Sequence, residues 1–118
     1  MFADPSTVTI NGVAKALVRI NQDSYGSEYF LREATQEFRM KIRNTSYTNA
    51  AGQTIDRHNI EFTQTIYATL TAAAIVRKSY IVIENIRSDT DAGLLQTLNG
   101  FVAFITSGNI QKLLNYES

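Results

Sequence analysis

From Glu37 to Arg43 the chain alternates apolar and charged side chains one for one: Glu-Phe-Arg-Met-Lys-Ile-Arg. Successive side chains of a strand point to opposite faces, whereas a helix turns by about 100° per residue and would scatter the same set around its axis. The segment is therefore read as a strand with Phe38, Met40 and Ile42 on one side and Arg39, Lys41 and Arg43 on the other. A chain built around it must bury one face of a sheet and leave the opposite face cationic.

The surrounding sequence extends that sheet. Thr7-Val-Thr-Ile10 and Val13 to Ile20 flank Asn11-Gly12, a pair that tolerates the positive φ angles of a type I′ turn, and a hairpin is expected over 7–20. Asn21 to Ser27 has loop chemistry, and Glu28 to Leu31 reads as a short strand or a helical turn. The polar stretch Asn44 to Asp56 is expected to be a loop. Alternation resumes over 57–67, with Ile60, Phe62 and Ile66 opposing Asn59, Glu61, Thr63 and Thr65, and Gln64 interrupting the apolar set. Ala68 to Ile75, rich in small residues, reads as a pliable loop, and Arg77 to Arg87 as a last strand in which Ile81 and Ile83 oppose Lys78, Tyr80, Val82 and Glu84. The sheet is thus expected over 28–87.

After residue 90 the period changes. Leu94, Leu95, Leu98, Phe101, Val102 and Ile105 fall on one stripe of a helix over 91–107, with Ser88, Asp89 or Thr90 as N-cap and Gly108 as the stop. Asn109 can cap a second helix carrying Ile110, Leu113, Leu114 and Tyr116, so the helices are expected to occupy 91–116. Strands first and helices last make an α+β chain, and 118 residues fit a single domain.

Five strands make a sheet about 24 Å wide, while one helix covers a strip of about 10 Å. The first helix also carries Phe101 and Phe104 on different sides of its axis. This surplus of apolar surface on both elements points to a dimer whose subunits cover each other's sheets, with Leu94, Leu95, Leu98, Phe101, Val102, Ile105, Leu113 and Leu114 at the interface. The alternative is a monomer with a smaller sheet.

Few kinds of catalysis fit these residues. No cysteine is present, which removes thiolate nucleophiles, disulfides and zinc fingers, and one histidine cannot build a multi-histidine metal site. His58 stands beside Arg57 and Asn59 with no triad spacing around it, and reads as a surface residue. Glu33 and Glu37 would converge only on a helix, against the alternation that begins at Glu37. The glycines form no phosphate-binding motif. No catalytic residue, metal or cofactor is expected, and the longest aliphatic run, Ala72 to Val76, is far short of a membrane span. Asn44-Thr45-Ser46 fits the glycosylation triplet, but the N-terminus lacks a secretory signal, so a cytosolically made chain is expected.

The cationic strand is more informative. Its three basic residues line about 13 Å of one face, long enough for each to meet a different phosphate. Lys78 and Tyr80 lie on the polar side of the last strand, where the ring can stack an unpaired base. Single-stranded or hairpin RNA is the partner this pattern fits. The plainer reading is a solubilised open sheet whose cations pair with Glu61 and Glu84. A rival from another class is a dimeric ligand-binding or small enzyme domain with a sheet cavity.

The order of these features resembles the coat protein of the small positive-strand RNA bacteriophages, the levivirus group. The resemblance rests on the Asn-Gly hairpin, the alternating basic strand, Arg57-His-Asn-Ile60, the small-residue loop, and Arg77-Lys-Ser-Tyr80 with Glu84 four residues after the tyrosine. It implies an N-terminal hairpin, a five-stranded antiparallel sheet and two C-terminal helices, interlocked with a second copy into a dimer with a continuous ten-stranded sheet. It further implies a virion shell of T=3 icosahedral type, formed from chains made in the bacterial host cytoplasm. The sheet faces the packaged genome and binds an RNA hairpin that represses replicase translation. Carried over by position, the RNA-facing set is Arg39, Lys41, Arg43, Glu61, Thr63, Thr65, Tyr80, Val82 and Glu84, beside Lys78 from the residue pattern. Tyr80 takes the place of the family's base-stacking tyrosine. Val82 and Glu61 depart from the polar and cationic residues usual at their positions.

Overall fold

A computed structural model describes residues 1–118. The chain forms six strands followed by two helices: β1 (Ser6–Ile10), β2 (Val13–Gln22), β3 (Gly26–Arg32), β4 (Gln36–Thr48), β5 (Thr54–Ile66), β6 (Ile75–Ile86), α1 (Asp91–Phe104) and α2 (Ser107–Leu114). The strands lie in sequence order in one six-stranded sheet. The α+β class stands, while the expected five-stranded sheet with a separate hairpin is corrected to six strands. The reason lies in β2, which pairs with β1 through its first half and with β3 through its second. The changeover falls between Leu17 and Val18, and a register shift between Arg19 and Asn21, within the half paired to β3, is a bulge of the kind that bends a strand and increases its twist.

The hairpin folds back over one face of its own sheet. Met40 faces Tyr29 on β3 and Phe62 on β5, and Phe38 faces Leu31. These residues share a face with Ile42 and Ile60. Leu17, Tyr29, Phe38, Met40 and Ile42 are the buried core, with Val8, Ile10, Leu31, Ile60 and Phe62 packed against it. The Lys15 ammonium lies 5.5 Å from the centroid of the Phe38 ring and pairs with Glu33 at 2.9 Å. Arg19 donates to the Tyr29 hydroxyl at 3.3 and 3.2 Å, so the buried phenol keeps hydrogen-bond partners.

The turns show why the strands are where they are. Asn11 and Gly12 have φ of 50° and 76°, the expected type I′ geometry. The loop expected over 44–56 is mostly strand: pairing runs to Thr48↔Thr54, and the turn is confined to residues 49–53. Asn49 Oδ1 accepts from the backbone N–H of Ala51 and Gln53, and Gly52 adopts φ of 80°, which together reverse the chain. Thr45, Ser46, Tyr47 and Thr48 suit a strand but carry no alternation, because β4 and β5 here extend beyond the end of β3 and face no core. Likewise the loop expected over 21–27 shrinks to 23–25, and residues 28–31 are strand. Gly26 is required by close approach, since a Cβ there would lie 2.5 Å from the Ile42 carbonyl oxygen.

Two compact units are formed, residues 1–84 and 85–118. In the second, Thr90 caps α1 by accepting from the Gly93 N–H at 3.2 Å. The first helix ends at Phe104, short of the expected 107, and Gly108 is not its stop but lies in the first turn of α2. Thr106, not Asn109, caps α2, accepting from the Asn109 N–H, while the Asn109 side chain donates to the Phe104 carbonyl. Neither helix holds a buried residue. Leu95, Phe101, Val102, Ile105, Leu113 and Leu114 are exposed, and Leu94 and Leu98 half-buried.

Two outcomes follow from this packing. Phe38→Ala should destabilise the fold by about 3–5 kcal/mol, read from denaturant unfolding at fixed protein concentration. Hydrogen bonds from Lys15 and Gln36 hold the Glu33 carboxyl below its ordinary pKa. A carboxyl lowered in the folded state contributes stability above its unfolded pKa of about 4.3 and loses that contribution as pH falls through the folded value. Glu33→Gln should therefore flatten the acid limb of stability against pH below about pH 4.3.

A charged sheet face as the candidate site

The face opposite the core is built by the same alternation. Arg39 is opposite Thr63, Lys41 opposite Glu61, Arg43 opposite Asn59 and Glu37 opposite Thr65, so these side chains share one surface. Phe30 and Glu28 of β3 join them, opposite Arg39 and Lys41. On β6, Lys78 reaches Glu61 at 3.2 Å and Glu84 reaches Arg57 at 3.2 Å. Both ends of that strand segment thus meet the charged face, and period two puts Tyr80 and Val82, which lie between them, on it as well. All ten residues singled out from the sequence, Arg39, Lys41, Arg43, Glu61, Thr63, Thr65, Lys78, Tyr80, Val82 and Glu84, are gathered here.

The electrostatics differ from both simple expectations. Arg39 pairs with Glu28, lies 3.8 Å from Glu37, and stacks its guanidinium 4.8 Å from the centroid of the Phe30 ring. Arg43 pairs with Asp23 at 2.6 Å. Glu61 and Glu84 pair with Lys78 and Arg57 instead of with the cations of β4. Lys41 is exposed, and of the three β4 cations it alone forms no ion pair. Asp23 is held below its usual pKa, first by the Tyr25 backbone N–H and then by Arg43. It is therefore a carboxylate at neutral pH, and it draws Arg43 toward the β2–β3 turn.

An open cleft of about 340 Å³ lies at that end of the face, lined by Asn21, Asp23, Glu28, Lys41, Arg43 and Asn59 among others. Asn59 Oδ1 is buried there without a hydrogen-bond partner. Residue types alone did not single out Asn59, and its register opposite Arg43 is the signal that would have found it. Tyr47 and Arg57 also belong to this surface but fell in or beside a segment read as loop. His58 lies on the other face, beside Asn44, whose Oδ1 is 2.8 Å from the ring Nδ1. No group of His, Asp and Glu is arranged to hold a metal. Glu33 is engaged by Lys15 and does not converge with Glu37.

A sheet with one apolar and one charged face is followed by two helices that hold no buried residue in the single chain. The family model for the coat protein of phage phiCb5 matches residues 3–86. The chain belongs to that family of bacteriophage coat proteins, a structural, non-enzymatic class whose members build the virion capsid from many subunits. Comparison with the curated proteins finds no match. No helix is long and apolar enough to cross a membrane.

Because Lys41 has no partner to lose, Lys41→Gln should change stability by less than about 0.5 kcal/mol, read as an unchanged thermal midpoint.

Proposed function

We propose that the chain is the coat protein of a small RNA bacteriophage of the levivirus type. Two copies interlock through α1 and α2, join their sheets into one of ten or more strands, and present the charged face to packaged RNA. Dimers then build the icosahedral shell, expected to be of T=3 type, and the same face binds an RNA hairpin that represses replicase translation.

The observation that carries this reading is the two-sidedness of the sheet. Apolar residues of one face pack with the hairpin, while the cations of the other face stand among carboxylates, threonines and an exposed tyrosine. A polyanion with unpaired bases fits such a surface: Lys41 meets phosphate without breaking an existing pair, Arg39 and Arg43 exchange a carboxylate for phosphate, and Tyr80, 63% exposed, offers a stacking ring. The dimer reading is supported by helices that bury nothing in the single chain, since surfaces such as Phe101 and Leu113 are costly to leave in water. Near-zero net charge suits a shell that crowds many subunits side by side.

Recombinant protein should elute as large particles containing host RNA, and a stable monomer by light scattering would overturn the reading. Lys41→Glu should lower the 260-to-280 nm absorbance ratio of purified particles while leaving the subunit folded. Affinity for RNA should fall linearly on a log–log plot against salt, as counterion release requires.

A further inference from the structure

We propose that Tyr47 is a second base-stacking platform for single-stranded RNA, held on the charged face by Glu84 beside Arg57. The inference rests on the RNA-facing reading of that face and adds a site outside the residues already assigned to it.

The platform stands where the β4–β5 pair outruns its neighbour. β3 reaches no further than Gly26 opposite Arg43, whereas β4 and β5 continue in register to Thr48 and Thr54. Tyr47 has the parity of Arg39, Lys41 and Arg43, so its ring lies on their face, opposite Ile55. Its hydroxyl donates to Glu84 Oε2 at 3.2 Å, and Arg57 Nε forms an ion pair with Glu84 Oε1 at 3.2 Å. One carboxylate thus anchors an aromatic ring from β4 and a guanidinium from β5, each through its own oxygen.

Three properties follow. The ring is tethered at its tip while remaining 45% exposed, so most of the ordering a stacked base would demand is met before RNA arrives. Arg57 uses its Nε on Glu84, and its other N–H groups are available to a phosphate. Burial and the Glu84 carboxylate push the Tyr47 phenol up from its usual pKa, consistent with its hydroxyl donating to that carboxylate. An aromatic ring beside a cation is the combination that binds single strands with little sequence preference. Glu84 then acts as a positioning residue: both its oxygens are engaged, and it works through Tyr47 and Arg57. The purely architectural alternative makes Tyr47 a cross-strand partner of Ile55 that stabilises the projecting hairpin.

The chain has no tryptophan, so Tyr47→Trp places a single indole reporter at the site. The full chain, purified free of nucleic acid, is titrated at low salt with a short oligoadenylate and, separately, with a blunt-ended RNA duplex. The proposal expects the indole of Tyr47→Trp to be quenched by the oligoadenylate and not by the duplex. Tyr47→Leu should bind the oligoadenylate about tenfold more weakly at an unchanged melting temperature, while Tyr47→Phe, which keeps the stacking ring but loses its tether to Glu84, should fall between that variant and the wild type. An unquenched indole, or wild-type affinity in Tyr47→Leu, overturns the platform; if Lys41→Glu still weakens binding, the RNA-facing reading survives it. Failure of the wild-type chain to bind either RNA overturns both. Should Tyr47→Leu lose its fold, the quenching of Tyr47→Trp decides.

Discussion

The contact between the bent-back hairpin and the apolar side of β3 and β4 governs everything else in the first unit. Leu17 closes over Tyr29, Phe38, Met40 and Ile42, and without it those residues would be an open hydrophobic sheet. The bulge at Arg19 and Asn21 adds twist to the half of β2 that pairs with β3. Arg19 then ties the segment down, donating to the Tyr29 hydroxyl and to the Phe2 carbonyl at 2.7 Å. A polar chain runs beside the core: Arg77 donates to Gln64, Gln64 to Gln36 and Gln36 to Glu33, which Lys15 completes. Gln64, which interrupts the apolar pattern of β5, is the middle of that chain.

Once one face is committed to the core, every second residue is committed to the other. The result is a surface whose charges are largely satisfied inside the chain: Arg39 by Glu28, Arg43 by Asp23, Lys78 by Glu61 and Arg57 by Glu84. Exposed pairs of this kind contribute little stability, and their carboxylates are exchangeable for phosphate oxygens of similar geometry. The RNA-facing role proposed above draws on that exchange. Lys41, unpaired at its centre, marks where such exchange costs least.

The helical unit repeats the theme of surfaces waiting for a partner. Its caps are complete, with Thr90 and Thr106 each satisfying a first-turn N–H, so the helices are locally well specified. What they lack is burial. In the single chain Phe101 is 63% and Leu114 68% exposed.

Much of this was legible in the residues alone. Alternation over Glu37–Arg43 fixed the two faces of β4, Asn11-Gly12 fixed the first turn, and the leucine stripe fixed α1, because each depends on neighbours within one period of the chain. The face shared by Arg39, Lys41, Tyr80 and Glu84 followed from the same parity. Tertiary structure alone decided which charges pair, that β4 and β5 run on through the polar stretch to Thr48 and Thr54, and that Tyr47 meets Glu84 across an intervening strand. Those depend on register and on where a neighbouring strand ends, relations between residues as far apart as 47 and 84. Periodicity tells which way a side chain points but carries no information about what it will find there.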